Sequence, residues 1–148
     1  KARFRIRLHG GQSGMVGNMN SPVDFAHALL GKARDDGYVL KTLAVDTAAP
    51  DWILGFHAQQ AIEKALKAVL ARQGVEYPRT HNLAMLLELL RRQKLDMPPD
   101  TDELGRLTPF GVALRYDEMD YESEPMLDRE WTLQAVSRTI NWAVAMVQ

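Results

Sequence analysis

Cysteine is absent from this chain of 148 residues, and aromatic side chains make up only 7% of it. Without Cys there is no disulfide framework, no thiolate zinc site, no thiol nucleophile and no CxxC redox pair. The absence fits a reducing compartment, so a cytoplasmic protein is expected. No apolar run reaches the ~18 residues of a membrane span, so no membrane partner is expected. Phosphate loops of the GxxxxGK[ST] or GxGxxG type are missing, and so is the HExxH zinc pattern. The four His do not stand at metal-ligand spacing, and neither a metal nor a cofactor is expected. What remains is a chain long enough to bury a core of its own as a single domain.

Charge is nearly balanced, with 18 Lys and Arg against 19 Asp and Glu, but it is unevenly placed. Lys1, Arg3, Arg5 and Arg7 give residues 1–18 four positive charges and no negative one, among Gly10, Gly11, Gly14 and Gly17. The rest of the chain holds 14 basic and 19 acidic side chains. We read 1–18 as a basic extension, with the domain starting near Met19 and running to residue 148. Phe4, Ile6 and Leu8 alternate with the arginines as in a short strand. Two readings of the extension stand: an added segment ordered by a neighbour, or a basic arm that grips phosphate. With the extension set aside the domain is acidic, which argues against broad nucleic-acid coating.

From Ser21 onward the pattern is helical. Ser21-Pro22 is an N-cap with Pro at the first helical position, opening a helix through the apolar set Phe25, Leu29, Leu30, Ala33, Tyr38, Leu40, Leu43 and Ala44, with Gly31 and Gly37 as weak points. Pro50 and Asp51 open a second helix that runs to about Gln73, and Gly74 is its expected stop. Thr80 or His81 starts a third through Leu90. After Met97-Pro98-Pro99, Asp100 or Thr101 caps a fourth through Leu104, Leu107, Val112 and Leu114, bent at Pro109 and Gly111. The acidic stretch Asp117–Asp128 reads as an exposed loop, and the last helix is expected from about Met126 to Val147. The fold class is all-α: an up-and-down bundle of about five helices.

The second helix carries a polar stripe beside its core stripe. His57, Gln60, Lys64 and Lys67 recur at spacings of three and four and so share a flank. One reading is a solvated face with a Glu63–Lys67 pair. The other is an anion site, in which an imidazole orients or protonates a phosphate that Lys64 and Lys67 hold as point charges. Arg79-Thr80-His81, where Thr80 reads as an N-cap, is a second candidate anion site at a helix start. Alternatively Thr80 only caps and His81 only locks the loop. Arg115-Tyr116, before the acidic loop, is an internal ion pair or a phosphate fork. The last helix shows two apolar stripes. Leu133, Val136, Ile140, Ala143, Val144 and Val147 form the core face. Trp131, Ala135, Thr139, Trp142 and Met146 form a second, with Trp131 and Trp142 as candidate dimer anchors unless the first helix covers them.

The string Phe56-His57-Ala58-Gln59-Gln60-Ala61-Ile62-Glu63-Lys64-Ala65-Leu66-Lys67-Ala68, followed by Thr80-His81-Asn82-Leu83 and Leu114-Arg115-Tyr116, resembles the HEPN family (higher eukaryotes and prokaryotes nucleotide-binding domain) over roughly residues 21–147. The resemblance implies a helical bundle of four or five helices that usually dimerises. It also implies a prokaryotic setting, often a toxin–antitoxin pair with a minimal nucleotidyltransferase as partner protein. Many family members are metal-independent ribonucleases that use an Arg followed after four to six residues by a His. Here Tyr116 to Glu122 follow Arg115 without a His, and the only formal match, Arg3 to His9, lies in the basic extension. Attack by a ribose 2′-OH needs a general acid and base, usually His.

Two readings follow, with a plain structural dimerisation domain as a third. The first is a module that binds a nucleotide, a phosphate or a partner protein through His57, Gln60, Lys64, Lys67, Arg79, His81, Arg115 and Tyr116. The second is a ribonuclease with a divergent site, built from His57 or His81 with Arg115.

Overall fold

In a computed structural model, residues 21–112 and 126–148 are described. The basic extension with its strand pattern, Leu114, Arg115, Tyr116 and the acidic residues 117–125 lie outside them. Four α-helices and one 3₁₀ helix make up the described residues, with no strand among them: α1 (Pro22–Ala44), α2 (Asp51–Arg72), α3 (Leu83–Arg92), the 3₁₀ helix (Leu104–Val112) and α4 (Arg129–Val147). The all-α bundle expected from the sequence is therefore the fold.

Local chemistry sets most boundaries. Ser21 Oγ accepts from Asp24 N at 3.0 Å, and Pro22 follows as the first helical residue of α1. Gly31 and Gly37 do not interrupt that helix. At the end of α2, Gly74 takes a φ of 69°, which a side chain would resist. Val75 N then reaches back to Leu70 O at 2.9 Å and closes the last turn.

Three expectations shift. The cap of α3 is Asn82, whose Oδ1 accepts from Met85 N, while Thr80 Oγ1 accepts from Asn82 N and shapes the preceding turn instead. The fourth helix is a 3₁₀ segment beginning at Leu104, because residues 98–103 form successive turns and Pro109 cannot donate to an α-helical ladder. The last helix starts at Arg129, where Asp128 accepts from Trp131 N at 3.0 Å and caps it.

Every other element packs on α2. Its side chains Leu54, Ala58, Ala61, Ile62, Ala65, Leu66, Ala68, Val69 and Leu70 are fully buried. The alanines keep α2 thin enough for neighbours on several sides. The leucines supply the larger apolar area, about 1.5–3 kcal/mol for each fully buried side chain. Two ties give the helix directions. Arg129, at the start of α4, donates to Asp51 Oδ1 at the start of α2 (2.9 Å), and to the carbonyls of Asp46 (2.9 Å) and Ala49 (2.5 Å) in the α1–α2 connection. Arg72, at the end of α2, donates to Val147 O at the end of α4 (3.1 Å). Thus α2 and α4 run parallel, and α1 runs antiparallel to both.

Two glycines mark close approaches around the 3₁₀ helix. A Cβ on Gly55 would sit 2.2 Å from the Phe110 ring, and one on Gly111 would sit 2.6 Å from the Gln59 amide. Both contacts seat the 3₁₀ helix directly on α2.

Candidate functional site

The polar flank of α2 resolves into two clusters, each built around one carboxylate. Asp36 comes from the middle of α1. Its Oδ1 lies 2.9 Å from His57 Nδ1, and its Oδ2 lies 2.5 Å from Lys64 Nζ. The Asp36 side chain is only 13% exposed, so both partners converge on a carboxylate largely removed from water. The Phe56 and His57 rings meet in a T-shaped contact, with centroids 5.4 Å apart.

Glu63 of α2 centres the second cluster. Its Oε1 lies 2.7 Å from His81 Nδ1, and its Oε2 accepts from Lys67 Nζ at 3.1 Å. Gln59, one turn earlier and fully buried, donates from Nε2 to Glu63 Oε1 (3.1 Å) and to His81 O (3.0 Å). The Gln59 Oε1 accepts from Gln60 Nε2 at 2.8 Å. A buried carboxylate needs this many donors, since an unpaired charge at such a position costs several kcal/mol (about 3–5). Lys67 also sits over the Tyr77 ring, 5.5 Å from its centroid. Burial pushes the Tyr77 phenol above its ordinary pKa, and the nearby Glu63 charge adds to the rise.

Five of the sequence-nominated residues, His57, Gln60, Lys64, Lys67 and His81, therefore belong to this flank and its loop. They do not form one open anion cradle, because Lys64 and Lys67 each hold a carboxylate. Arg79 is exposed in the loop before α3 and pairs with no carboxylate among the described residues. Arg115 and Tyr116 lie outside the described residues. Trp131 and Trp142 are partly buried and pack against the protomer's own core. The Trp142 indole donates to Asp96 O at 2.8 Å, and Trp131 lines a small cavity with Leu107, Phe110 and Met126.

Two members escaped the sequence reading. Asp36 sits on another helix, and no local spacing connects it to His57. Gln59 carried a usable signal: it falls between Gly55 and Ile62 on the apolar stripe, where a polar residue must find buried partners. Glu63 was visible only as the partner of Lys67, not as the centre of the network.

Chemically, the two histidines are alike. Opposite a carboxylate the Nδ1 carries the proton, which leaves Nε2 of each ring to accept a hydrogen bond or, in the imidazolium form, to donate one to an anion. Each pair is a carboxylate–imidazole dyad of the kind that orients a general base or a hydrogen-bonding ligand contact. Among the described residues no three His, Asp or Glu side chains gather as metal ligands.

The family model of the HEPN domain matches residues 42–147. The chain belongs to the HEPN domain family. No curated protein and no solved structure matches it. HEPN domains are nucleotide- or RNA-related modules, and they often dimerise. The matched segment takes in α2 to α4, hence Gln59, Glu63, Lys67 and His81 complete. Asp36 precedes it, so the carboxylate that orients His57 is supplied from outside the matched part of this HEPN domain. Among the described residues no helix is long and apolar enough to cross a membrane.

Proposed function

We propose that this HEPN domain is a nucleotide- or phosphate-binding module acting through the flank of α2. His57 and His81 serve as oriented hydrogen-bonding groups, and Arg79, two residues before His81 and paired with no described carboxylate, supplies a cation. Lys64 and Lys67 hold the carboxylates that set the two imidazoles, rather than gripping phosphate themselves. The observation that carries this reading is the pair of dyads, His57–Asp36 at 2.9 Å and His81–Glu63 at 2.7 Å. In this reading the protein is a cytoplasmic homodimer in a prokaryotic toxin–antitoxin-type system, beside a minimal nucleotidyltransferase. Trp131 and Trp142 are its proposed dimer anchors, and Arg115 and Tyr116 are further candidate ligand contacts.

Calorimetry with ATP, GTP and a short RNA on the full chain tests it. At least one ligand gives saturable heat, and His81→Ala or Arg79→Ala weakens it about tenfold or more, the loss expected of a charge-assisted contact. No heat with any ligand, or heat unchanged in both variants, overturns the reading.

A second reading, a metal-independent ribonuclease with a divergent site, draws on the same dyads, because an oriented imidazole can take a 2′-OH proton. Incubation with total RNA in EDTA separates the two. Cleavage that disappears in His57→Ala or His81→Ala favours the enzyme.

A further inference from the structure

Away from the α2 flank, a groove of about 550 Å³ runs between α1 and α4, open to solvent. Its floor is aliphatic: half-buried Leu133 and Ile140 lie over the buried Leu40 and Val136. At Gly37 the two helices approach closely: even a Cβ there would come within 3.1 Å of Ile140 Cδ1. Tyr38 stands on the rim with 72% of its surface exposed, one of few large apolar residues left uncovered.

The charge around this floor is of one sign. Arg34, Lys41 and Arg138 line the groove, and among the described residues no carboxylate does. Arg138 is neutralised by a two-pronged contact with Asp100, at 3.0 and 3.1 Å. Arg34 and Lys41 are exposed and pair with no described acid. On a domain whose acidic side chains outnumber its basic ones, an apolar channel edged only by cations is a local exception.

We infer that the α1–α4 groove is a docking site for an acidic amphipathic helix of a partner protein. Such a helix lays an apolar stripe on Leu133 and Ile140 and sets Asp or Glu side chains against Arg34 and Lys41. Two antiparallel helices with an apolar seam between them present the ridges and grooves that a third helix fills. Charge then selects the occupant. A second copy of this chain is disfavoured, because a two-fold pairing of this face on itself brings only cations together. Single-stranded RNA matches the cations but leaves the aliphatic floor unused, since base recognition relies on several stacking aromatics and Tyr38 is the only one here. The groove involves neither dyad, so it stands or falls independently of the ligand reading above.

The test uses the full chain and two fluorescent synthetic peptides of about 18 residues, five helical turns. Both carry Leu at spacings of three and four. One has Glu at the flanking positions, and its twin has Lys. The Glu peptide binds about tenfold or more tightly than the Lys twin by anisotropy, and its affinity falls as salt is raised. The exposed double variant Arg34→Glu/Lys41→Glu, checked for helix content by circular dichroism, removes or reverses that preference. Tyr38→Ala weakens both peptides. Equal affinity for the two peptides, no binding of either, or an unchanged preference in the double variant overturns the proposal. So does displacement of the Glu peptide by oligo-uridine, which would make the groove an RNA face.

Discussion

His81 Nδ1 lies 2.7 Å from Glu63 Oε1, so a loop residue completes the hydrogen-bond shell of the one charged side chain that is buried among the described residues. Gln59 fastens the same loop by its bond to His81 O at 3.0 Å. The segment leading into α3 is thus held to α2 twice, once through a side chain and once through the backbone. The dyad and the packing of α3 are one structural unit.

Removing Glu63 should therefore cost more than a surface substitution. Glu63→Ala strands the Lys67 ammonium, whose side chain is 14% exposed, and frees the His81 loop. We expect a loss of about 3–5 kcal/mol, the cost of leaving one partner of a buried pair uncompensated. Glu63→Gln, which keeps shape and one acceptor, should lose less. Urea unfolding followed by circular dichroism measures both. A loss below about 1 kcal/mol for Glu63→Ala, the size of an ordinary surface change, contradicts the role assigned to this network.

Tyr77 gives the fold an alkaline limit. Its phenol is raised by burial and by Glu63, so the folded chain holds the phenolic proton more tightly than the unfolded one. The stability this represents is complete below about pH 10, the unfolded value, and is lost as pH rises from there through the folded value. Thermal unfolding at stepped pH between about 8.5 and 11 should show a steeper fall for wild type than for Tyr77→Phe. Parallel curves would mean that the phenol is not coupled to folding.

Gly55 tests the seating of the 3₁₀ helix. A methyl group there meets the Phe110 ring at 2.2 Å, so Phe110 must move out of its buried position. In an isolated helix Gly→Ala would stabilise by about 1 kcal/mol. Here overpacking should outweigh that, for a net loss of about 1–2 kcal/mol. The double variant Gly55→Ala/Phe110→Leu should recover part of it. A Gly55→Ala midpoint at or above wild type in denaturant would show that Phe110 has room to shift.

Much of the architecture was legible because it is written in local terms. The Ser21-Pro22 cap, the Gly74 stop and the apolar spacing of α2 act within one or two helical turns. The misplaced starts of α3 and α4 were choices between nearby capping residues: Asn82 rather than Thr80 or His81, and Asp128 rather than a start at Met126. The fourth helix was read with the wrong geometry, since its leucine spacing does not separate a bent α-helix from a 3₁₀ segment interrupted by Pro109.

The candidate site divides along the same line. By itself the sequence determined the all-α class, the family resemblance and the polar flank His57, Gln60, Lys64 and Lys67, because helical periodicity alone puts those positions together. Only the tertiary structure decided what the flank is. It brought Asp36 across from α1 and His81 in from a loop, and so turned a flank that the spacing left as either a solvated face or an anion site into two carboxylate–imidazole pairs, each with its lysine. It also paired Arg138 with Asp100, leaving Arg34 and Lys41 on the α1–α4 groove with no acidic partner among the described residues. Partners separated by 21 residues, as His57 and Asp36 are, leave no mark in spacing. Their meeting is fixed by how the helices pack, and that is a property of the whole core.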